Sequence, residues 1–322
     1  MEEGPNPSID VVIITYLRPE VVRANLKQLA RQSLMPRHVF VVDASPDDRT
    51  EAVVREFAFA SYVRNHAGAG NMTSSRNEVL PRLAADICAF LDDDALPELT
   101  YVEELSRFYR RRPDVSLGCC RTLNGTEGES TRGVDRIGQI REPGLILGHF
   151  GADPGVDIEI DHGIGASMHM RRDLIRQIGG FREYYTGVSG VREDCDVFMR
   201  AAKLGHQAWF VRDSVVRHIA APQAKGKRFD LRYSHWASRN HAILTVANVG
   251  LLRRQGLAWL WAMIIAPLKS QASLWKQVVR FGFVLTGTVR GVLVGLRLVG
   301  VGPHAPVGGF RQRGRELKLP PT

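Results

Sequence analysis

Short apolar runs alternate with amphipathic segments along the first two-thirds of the chain. The apolar runs are too brief for helices and carry β-branched residues, as buried strands do; they lie at 10–15, 38–43, 61–65, 86–91 and 115–120. Between them, apolar residues recur at helical spacing, as at Val22, Leu26 and Leu29. Strands that alternate with helices predict an open, mostly parallel α/β sheet with helices on both faces.

Glycine, proline and hydroxyl residues indicate where the predicted helices begin and end. We expect helices over 19–32, 49–58, from about 73 to Pro81, and over 99–111. Farther on, "GIGASMHMRRDLIRQIGGF" predicts a strand and a helix that ends at Gly179 and Gly180, and a helix over 194–204 and a strand over 207–211 complete the body. The connection over 122–159 is Gly-rich and irregular, which is typical of a functional loop or lid.

Charge divides the chain into two parts. Residues 1–220 carry 27 Lys and Arg against 32 Asp and Glu, a net charge of −5, whereas residues 221–322 carry 16 against 2, a net charge of +14. The chain of 322 residues is long enough for one large α/β domain with an appendage. The basic end predicts an anionic partner, either a membrane surface or a nucleic acid.

The cysteines and the N-terminus indicate the compartment. The four cysteines form no CxxC pair, and Cys119 and Cys120 are adjacent, so we expect buried free thiols in a reducing compartment. The opening "MEEGPNPSID" has no apolar segment, so we expect no signal peptide and a cytoplasmic protein.

Polar side chains follow the ends of the predicted strands, where open α/β sheets bind ligands. Thr15 and Tyr16 end the first strand, and Asp43 ends the second. An aspartate there suits a ribose or uracil-type contact, although this strand by itself favours a turn or a helix cap. Asn71 and Arg76 follow the glycines of "GAGN" and are candidates for the same ligand.

Three adjacent aspartates, Asp92, Asp93 and Asp94, follow the fourth strand. Like charges at one place repel, and a cation among them removes the repulsion. Carboxylate oxygens suit Mg²⁺ or Mn²⁺, which bridges to substrate phosphates. The alternative is a solvated acidic turn before the next helix.

Several segments, in this order and at this spacing, resemble those of the GT-A-fold family 2 glycosyltransferases. They are "IITYLRPE", "VVDAS", "GNMTSSRNEVL", "FLDDDALP", "GASMHMRRDLIRQIGGFRE", "REDCDVFMRAAKLGHQAWFV" and "VVRH", between about residues 8 and 218. The more specific ones are the aspartates with their proline and the "GGF…REDCD…G" block. The bacterial rhamnosyl- and galactofuranosyltransferases that build polysaccharides and cell walls look most similar.

The resemblance implies an inverting enzyme that moves a sugar from a nucleotide diphosphate to an acceptor hydroxyl. By position, it makes Asp194 the catalytic base with Glu193 in support, and it implies Mn²⁺ or Mg²⁺ as cofactor. The other implied roles form three sets: metal ligands Asp92, Asp94 and His218; donor-nucleotide residues Thr15, Tyr16, Asp43, Asn71, Arg76, Asp92 and Asp93; and acceptor-side residues Gly165, Ser167 and Trp209.

The residue chemistry leaves alternatives to these roles open. Glu193, Asp194 and Asp196 are also ordinary first-turn acids of a helix, and Asp196 alternatively pairs with Arg192 or Arg200. Without the resemblance, His218 would be interpreted as an ordinary buried or surface histidine and not as a metal ligand. One departure is clear: the family usually reads "GGFDE" where this chain has "GGFRE", which puts any role of that acidic position in doubt.

The basic end contains apolar segments flanked by arginine, lysine and tryptophan. The apolar run 256–268 has thirteen residues, fewer than a bilayer requires, and a later run is interrupted by Arg290. Trp259, Trp261 and Trp275 fit helices that lie in the interface of an anionic membrane. A hairpin packed on the body, or a pair of membrane-inserting helices, are the alternatives.

We therefore predict a catalytic GT-A domain over 1–220, with a nucleotide half over about 8–121 and an acceptor half over 122–220. A membrane-associating helical segment over 221–302 and a flexible basic tail over 303–322 follow. The predicted partners are a nucleotide-sugar donor, a glycan, lipid-linked or polymeric acceptor, and the inner face of the cytoplasmic membrane. We do not expect a nucleic-acid partner, because long apolar runs interrupt the basic residues.

Three alternatives remain. A sugar nucleotidyltransferase has the same alternation of strands and helices. Such an enzyme usually has a glycine-rich phosphate loop after the first strand, where this chain reads "TYLRPE". A catalytically inactive scaffold is the second alternative, and a protein that binds nucleic acid through its basic end is the third.

Overall fold

The sheet is built around β1, an apolar strand that is buried along its whole length. The computed structural model describes residues 6–66, 72–187, 191–219, 231–271 and 273–298. The strands of these ranges are β1 (Ile9–Thr15), β2 (His38–Asp43), β3 (Ala60–Arg64), β4 (Ile87–Asp92), β5 (Ala95–Pro97), β6 (Leu117–Leu123), β7 (Ile140–Arg141), β8 (Leu145–Ile146), β9 (Ile158–Ile160), β10 (Ser167–Arg171) and β11 (Ala208–His218).

Nine α-helices cover the sheet and form the C-terminal part of these described ranges. They are α1 (Pro19–Leu29), α2 (Arg49–Val54), α3 (Met72–Val79), α4 (Tyr101–Arg111), α5 (Arg172–Ile178), α6 (Glu193–Lys203), α7 (Leu231–Leu244), α8 (Arg254–Ile265) and α9 (Leu274–Leu296). A π-helical turn, Thr245–Val249, follows α7. Gly179 ends α5 in the left-handed conformation, at φ 67°, as the glycine pair predicted.

The main sheet has the strand order β3-β2-β1-β4-β10-β6-β11-β5, and β9 pairs with β11. The first four of these strands are parallel, β10 runs antiparallel between β4 and β6, and β11 is parallel to β6. The prediction of a mostly parallel α/β sheet is therefore confirmed. Alternate residues of β1 enter two separate cores, with Val12 and Ile14 on one face and Val11 and Ile13 on the other.

The helix predicted over 49–58 ends earlier, at Val54, and two other segments differ more from the sequence prediction. β11 is longer than the predicted 207–211, because a register shift between Val211 and Val215 lets the strand continue along β6 to His218. The connection over 122–159 is less irregular than expected, since it contains the β7–β8 hairpin and β9.

The C-terminal helices pack on the body, with α9 lying directly against α7. Three glycines of α9 make this approach possible: a Cβ on Gly291 would lie 2.7 Å from Ala242 Cβ, one on Gly295 would lie 2.6 Å from Val246 Cβ, and one on Gly287 would collide with the carbonyl of His235. α9 is long and apolar enough to cross a membrane by length and composition, and 28% of its most apolar window is buried. The predicted tail over 303–322 lies outside the described residues.

Candidate active site

Parallel pairing brings the carboxyl ends of three strands to one edge of the sheet. Thr15 is aligned with Asp43, and Ile14 is aligned with Asp92. At the far side, β11 pairs with β5, which aligns His218 with Ala95, directly after the aspartates. The long β11 thus carries His218 to the edge where the three aspartates lie.

Asp93 is the aspartate that turns into the protein. Its carboxylate accepts a hydrogen bond from the Thr15 hydroxyl at 2.6 Å and pairs with the Arg18 guanidinium at 2.5 Å. Burial raises the pKa of Asp93 to about 7, although Arg18 and Thr15 oppose the rise. Asp93 therefore fastens the loop after β1 to the loop after β4.

Asp92 and Asp94 face the other way and form a three-residue group with His218, in which one ligand atom from each lies within 4.8 Å of the others. His218 Nε2 is 3.2 Å from Asp94 Oδ1, and His218 Nδ1 is 3.3 Å from Asn124 Oδ1. When Nδ1–H donates to Asn124, the neutral ring keeps a lone pair on Nε2 that points toward the aspartates, as in a histidine metal ligand.

One oxygen of this group is left without a hydrogen-bond donor. Asp92 Oδ1 is buried and has no hydrogen-bond partner among the described residues, and Arg76 Nη2 is 3.9 Å away. A buried carboxylate oxygen without a partner is costly unless a cation completes it. Two carboxylates and an imidazole with this orphaned oxygen fit a divalent cation such as Mn²⁺ or Mg²⁺.

A buried ion pair joins α3 to α6 behind this group. Arg76 is fully buried, and its Nη1 donates to Glu193 Oε1 at 2.9 Å while its guanidinium lies over the Phe181 ring. Burial and the charge of Asp194 raise the pKa of Glu193 to about 8, although Arg76 opposes the rise. Arg76 therefore supports the site from behind, whereas Glu193, paired with it, is one of the residues that line the cavity.

Asp194, in the first turn of α6, is the more accessible carboxylate. The backbone N–H of Gly165 donates to Asp194 Oδ2 at 3.1 Å, and the N–H of Cys195 donates to Oδ1 at 2.7 Å. These donors fix the carboxylate and leave lone pairs free for one further donor. Gly165 suits this close approach, because a Cβ there would lie 3.0 Å from Glu193 Oε1 and 3.1 Å from Arg76 Nη2.

One cavity of about 610 Å³ is lined by Asp92 and His218 of the metal-type group together with Asp194. The connection after β6 supplies a further wall, and α7 contributes Tyr233. The polar residues of these two walls that the sequence did not point to are Asn124, Thr126, Glu129, Arg132, His149 and Tyr233. Carboxylates, a histidine and hydroxyl or amide groups that converge on one cavity suit a polar substrate with an anionic part.

The sequence profile of the family "Glycosyl transferase family 2" matches residues 10–179, more than half of the chain. The chain belongs to glycosyl transferase family 2. No curated protein matches its sequence.

Two solved structures resemble this family 2 glycosyltransferase in fold. The mannosyltransferase PcManGT from Pyrobaculum calidifontis, solved in complex with GDP-Man and Mn²⁺, is 17% identical, with a TM-score of 0.55 over 93% of this chain and 80% of that one. Residues 1–349 of S. aureus TarS are 14% identical, with a TM-score of 0.55 over 88% of this chain and 81% of that one. At these identities the likeness concerns the fold, and the expected GT-A fold is confirmed.

The residues predicted to bind the nucleotide, as far as they are described, lie at the expected edge of the sheet of this glycosyltransferase. Asp43 is buried at the end of β2, where it accepts hydrogen bonds from the Ser45 backbone at 2.8 Å and from the Tyr62 hydroxyl at 3.2 Å. Tyr16 is partly exposed directly after β1. Asn71 lies outside the described residues.

Two residues predicted for the acceptor side of this glycosyltransferase do not line the cavity. Ser167 is fully buried in β10, where its hydroxyl lies 2.8 Å from the Thr122 hydroxyl. Trp209 lies at the beginning of β11, at the opposite end of the sheet, with the Arg112 guanidinium 4.0 Å from its ring centroid. We therefore carry neither residue into the proposed site.

Arg182, the departure from the family pattern, has a structural partner in this glycosyltransferase. It pairs with buried Asp196 at 2.9 Å, and Arg200 pairs with the other oxygen of Asp196 at 2.8 Å. Burial alone would raise the pKa of Asp196, but Arg200 and Arg182 hold it below its usual range. Asp196 therefore braces the first turn of α6, and of the two partners left open by the sequence it pairs with Arg200.

Proposed function

We propose that this protein is an inverting, divalent-metal-dependent glycosyltransferase that moves a sugar from a nucleoside diphosphate to a hydroxyl of a glycan or lipid-linked acceptor. One observation carries the proposal: Asp92 and His218, which form a metal-type group with Asp94, line the same cavity as the fixed, accessible carboxylate of Asp194. The complex of PcManGT with GDP-Man and Mn²⁺ supports the donor and metal class.

Asp92, Asp94 and His218 would hold the cation beside the donor diphosphate. Bound there, the cation would neutralise the charge that develops on the departing diphosphate. Arg18, which pairs with both Asp93 and Asp94, keeps the loop that carries these ligands in place.

Asp194 would take the proton of the acceptor hydroxyl. In a single displacement, the acceptor oxygen forms a bond to the anomeric carbon while the bond from that carbon to the diphosphate oxygen breaks, and the proton passes to Asp194 Oδ1 or Oδ2. The two backbone donors on this carboxylate set its direction, and its position in the cavity leaves it open to a substrate hydroxyl.

The first test is calorimetry of UDP, GDP, TDP and CDP with and without Mn²⁺. We expect one nucleotide to bind in a metal-dependent way and Asp94→Ala to remove that binding. Asp114→Ala, at an exposed carboxylate, is the matched control. If no nucleotide binds, or if Asp94→Ala binds as wild type does, the proposed metal site is wrong.

The second test separates binding from chemistry at Asp194. Asp194→Asn keeps the shape of the side chain, so donor binding should stay near normal, whereas metal-dependent release of nucleoside diphosphate should fall about a hundredfold or more. Asp161→Asn is the control on the same domain. Release that stays within tenfold of wild type in Asp194→Asn would rule out Asp194 as the base.

For the location, we propose the surface of an anionic membrane, where the exposed apolar faces of α8 and α9 would lie. Trp261 and Trp275 are 64% and 75% exposed, and basic residues flank both helices. Flotation with vesicles should be weaker for the double variant Trp261→Ser/Trp275→Ser than for wild type. Equal flotation of the two proteins would contradict this location.

A further inference from the structure

A second cavity, of about 630 Å³, lies between α7 and α9 and shares no lining residue with the catalytic cavity. We call it the α7–α9 groove. α7 contributes Arg232, His235 and Trp236 to it, and α9 contributes a stripe at helical spacing: Val278, Val279, Gly282, Phe283, Thr286 and Arg290. One part of the groove is therefore cationic and aromatic, and the rest is apolar.

Among the described residues, the charged side chains that line the groove are all cationic. None of the residues lining the groove is acidic, and residues 231–298 include seven arginines and two lysines but no aspartate or glutamate. Two guanidiniums flank the Trp236 ring, with Arg239 at 5.3 Å and Arg290 at 5.9 Å from its centroid. Cations gathered in this way attract an anion, and arginine forks match phosphate oxygens.

The positive charge of the groove is carried by its arginines and not by His235. Burial and the neighbouring Arg290 and Arg239 lower the pKa of His235, so its ring is neutral near pH 7. Its Nδ1 is 3.2 Å from the Thr286 hydroxyl, and its Nε2 is 3.5 Å from Arg290 Nη1. This arrangement holds Arg290 over the groove.

The apolar part of the groove continues into the exposed face of α9. Val278 is 50% exposed and Phe283 37% exposed, on a helix whose other face packs on α7. A soluble anion would gain nothing from these side chains, whereas an acyl or isoprenyl chain would bury them. Charge and apolar surface together therefore match a molecule that has a phosphate at one end and a hydrocarbon chain at the other.

We propose that the α7–α9 groove binds a phosphate-bearing membrane lipid, with its phosphate on Arg232 and Arg290 and its chain along Val278, Val279 and Phe283. The groove adjoins the catalytic cavity, because Arg232 lines the groove and the next residue, Tyr233, lines the cavity. Resting on the proposed function, we assign this lipid as the anchor of the acceptor, whose hydroxyl-bearing end would enter the cavity.

The test measures binding, not transfer, so it does not depend on the acceptor. Full-length protein is floated with neutral phosphatidylcholine vesicles that contain geranylgeranyl monophosphate, with vesicles that contain geranylgeraniol instead, and with the first vesicles in the presence of inorganic phosphate. We expect binding to the lipid phosphate to exceed binding to the alcohol about tenfold or more, since a charged hydrogen bond is lost in the alcohol. Inorganic phosphate should not compete at comparable concentration.

Three variants locate the site. Arg290→Gln should weaken binding of the lipid phosphate about tenfold or more, whereas Arg297→Gln, which removes the same charge directly after the same helix and outside the groove, should not. Gly282→Phe leaves every charge in place and fills the groove; a Cβ at Gly282 meets nothing within 4 Å, so the fold should tolerate it. The Gly282→Phe variant should therefore bind vesicles with the lipid phosphate no better than vesicles with the alcohol.

Each other outcome overturns the proposal. Equal losses in Arg290→Gln and Arg297→Gln would indicate a general attraction to charged membranes, equal binding of the alcohol would indicate a merely apolar surface, and full competition by inorganic phosphate would indicate a soluble ligand. Metal-dependent nucleotide binding is measured on the same variants. If it persists while lipid binding fails, the groove assignment alone is wrong; if it is absent from wild type, the proposed function fails, whatever the groove binds.

Discussion

The buried pair Arg76–Glu193 gives a prediction whose size can be worked from the geometry. Arg76 is fully buried, Glu193 is 5% exposed, and the two are 2.9 Å apart. In Arg76→Met the aliphatic stem remains, but the guanidinium and its contact with the Phe181 ring are lost. Removing one partner of a buried ion pair costs about 3–5 kcal/mol when the other charge stays buried without compensation, and less when the remaining carboxyl group can take up a proton.

The cost should depend on pH in a defined direction. The pKa of Glu193 is about 8 in the wild type and should rise further without Arg76. Below about pH 7 both proteins therefore carry a protonated Glu193, and the difference in their free energies of unfolding should be small. Above pH 8 the wild type releases the proton and regains the ion pair, whereas the variant keeps the proton, so the difference should grow by about 1.4 kcal/mol per pH unit.

Urea denaturation at about pH 6, 7.5 and 9 measures this difference for wild type and Arg76→Met. The matched variant is Arg76→Met/Glu193→Gln, in which no carboxylate titrates at this place and the growth with pH should disappear. A cost that is the same at all three pH values, or that stays below about 1 kcal/mol at pH 9, would refute the reasoning. Weaker donor binding without any pH-dependent loss of stability would instead favour the direct nucleotide role that the sequence predicted for Arg76.

Three further predictions concern the packing around the site. Asn248→Ala removes the amide that donates to buried Asp196 at 2.9 Å, so the free energy of unfolding in urea should fall by about 1.5–3 kcal/mol. Gly291→Leu should separate α9 from α7, seen as faster tryptic cleavage in the C-terminal helices, whereas Gly282→Leu, in open space, should be cleaved as the wild type is. Burial lowers the pKa of His169 to about 3, so below pH 6.5 the unfolded chain binds a proton that the folded chain does not. The free energy of unfolding should therefore decrease by about 1.4 kcal/mol for each pH unit below 6.5 because of this residue. Denaturation curves of His169→Gln should show a smaller dependence on pH.

The nucleotide-side edge of the sheet could be predicted because its signals are local. β-branched runs such as 10–15 and 38–43 predict buried parallel strands by themselves, and the carboxyl ends of such strands must meet at one edge. Asp92 and Asp94 lie at the end of one of these strands and directly after it, so the local sequence was enough to predict their position. His218 needed the resemblance, because a register shift inside β11 decides how far that strand extends.

Residues whose partners are distant in the chain could not be placed in this way. Arg182 was noted only as a departure from the family pattern, yet it pairs with Asp196, one turn into α6. Trp209 was expected near the acceptor because it lies in a block with family likeness, but a strand of eleven residues reaches both ends of the sheet, and Trp209 is at the wrong end. The cavity wall after β6 has no periodicity from which its contacts could be read.

The basic end of the chain is the part where composition was least informative, since its contacts with the body include polar bonds to residues that are distant in the chain. Asn240 of α7 donates to the backbone carbonyls of Thr186 and Val191 at 3.0 Å each, and Asn248 donates to Asp196. These bonds hold both ends of the segment that leads into the first turn of α6, where Asp194 lies. The helices that carry the exposed apolar surface and the turn that carries the proposed base are therefore one packed unit, so a lipid bound in the α7–α9 groove would lie at a fixed distance from the reacting carboxylate. Such a distance favours one length of spacer between the lipid phosphate and the acceptor hydroxyl, because a shorter or longer spacer must bend or strain to reach Asp194.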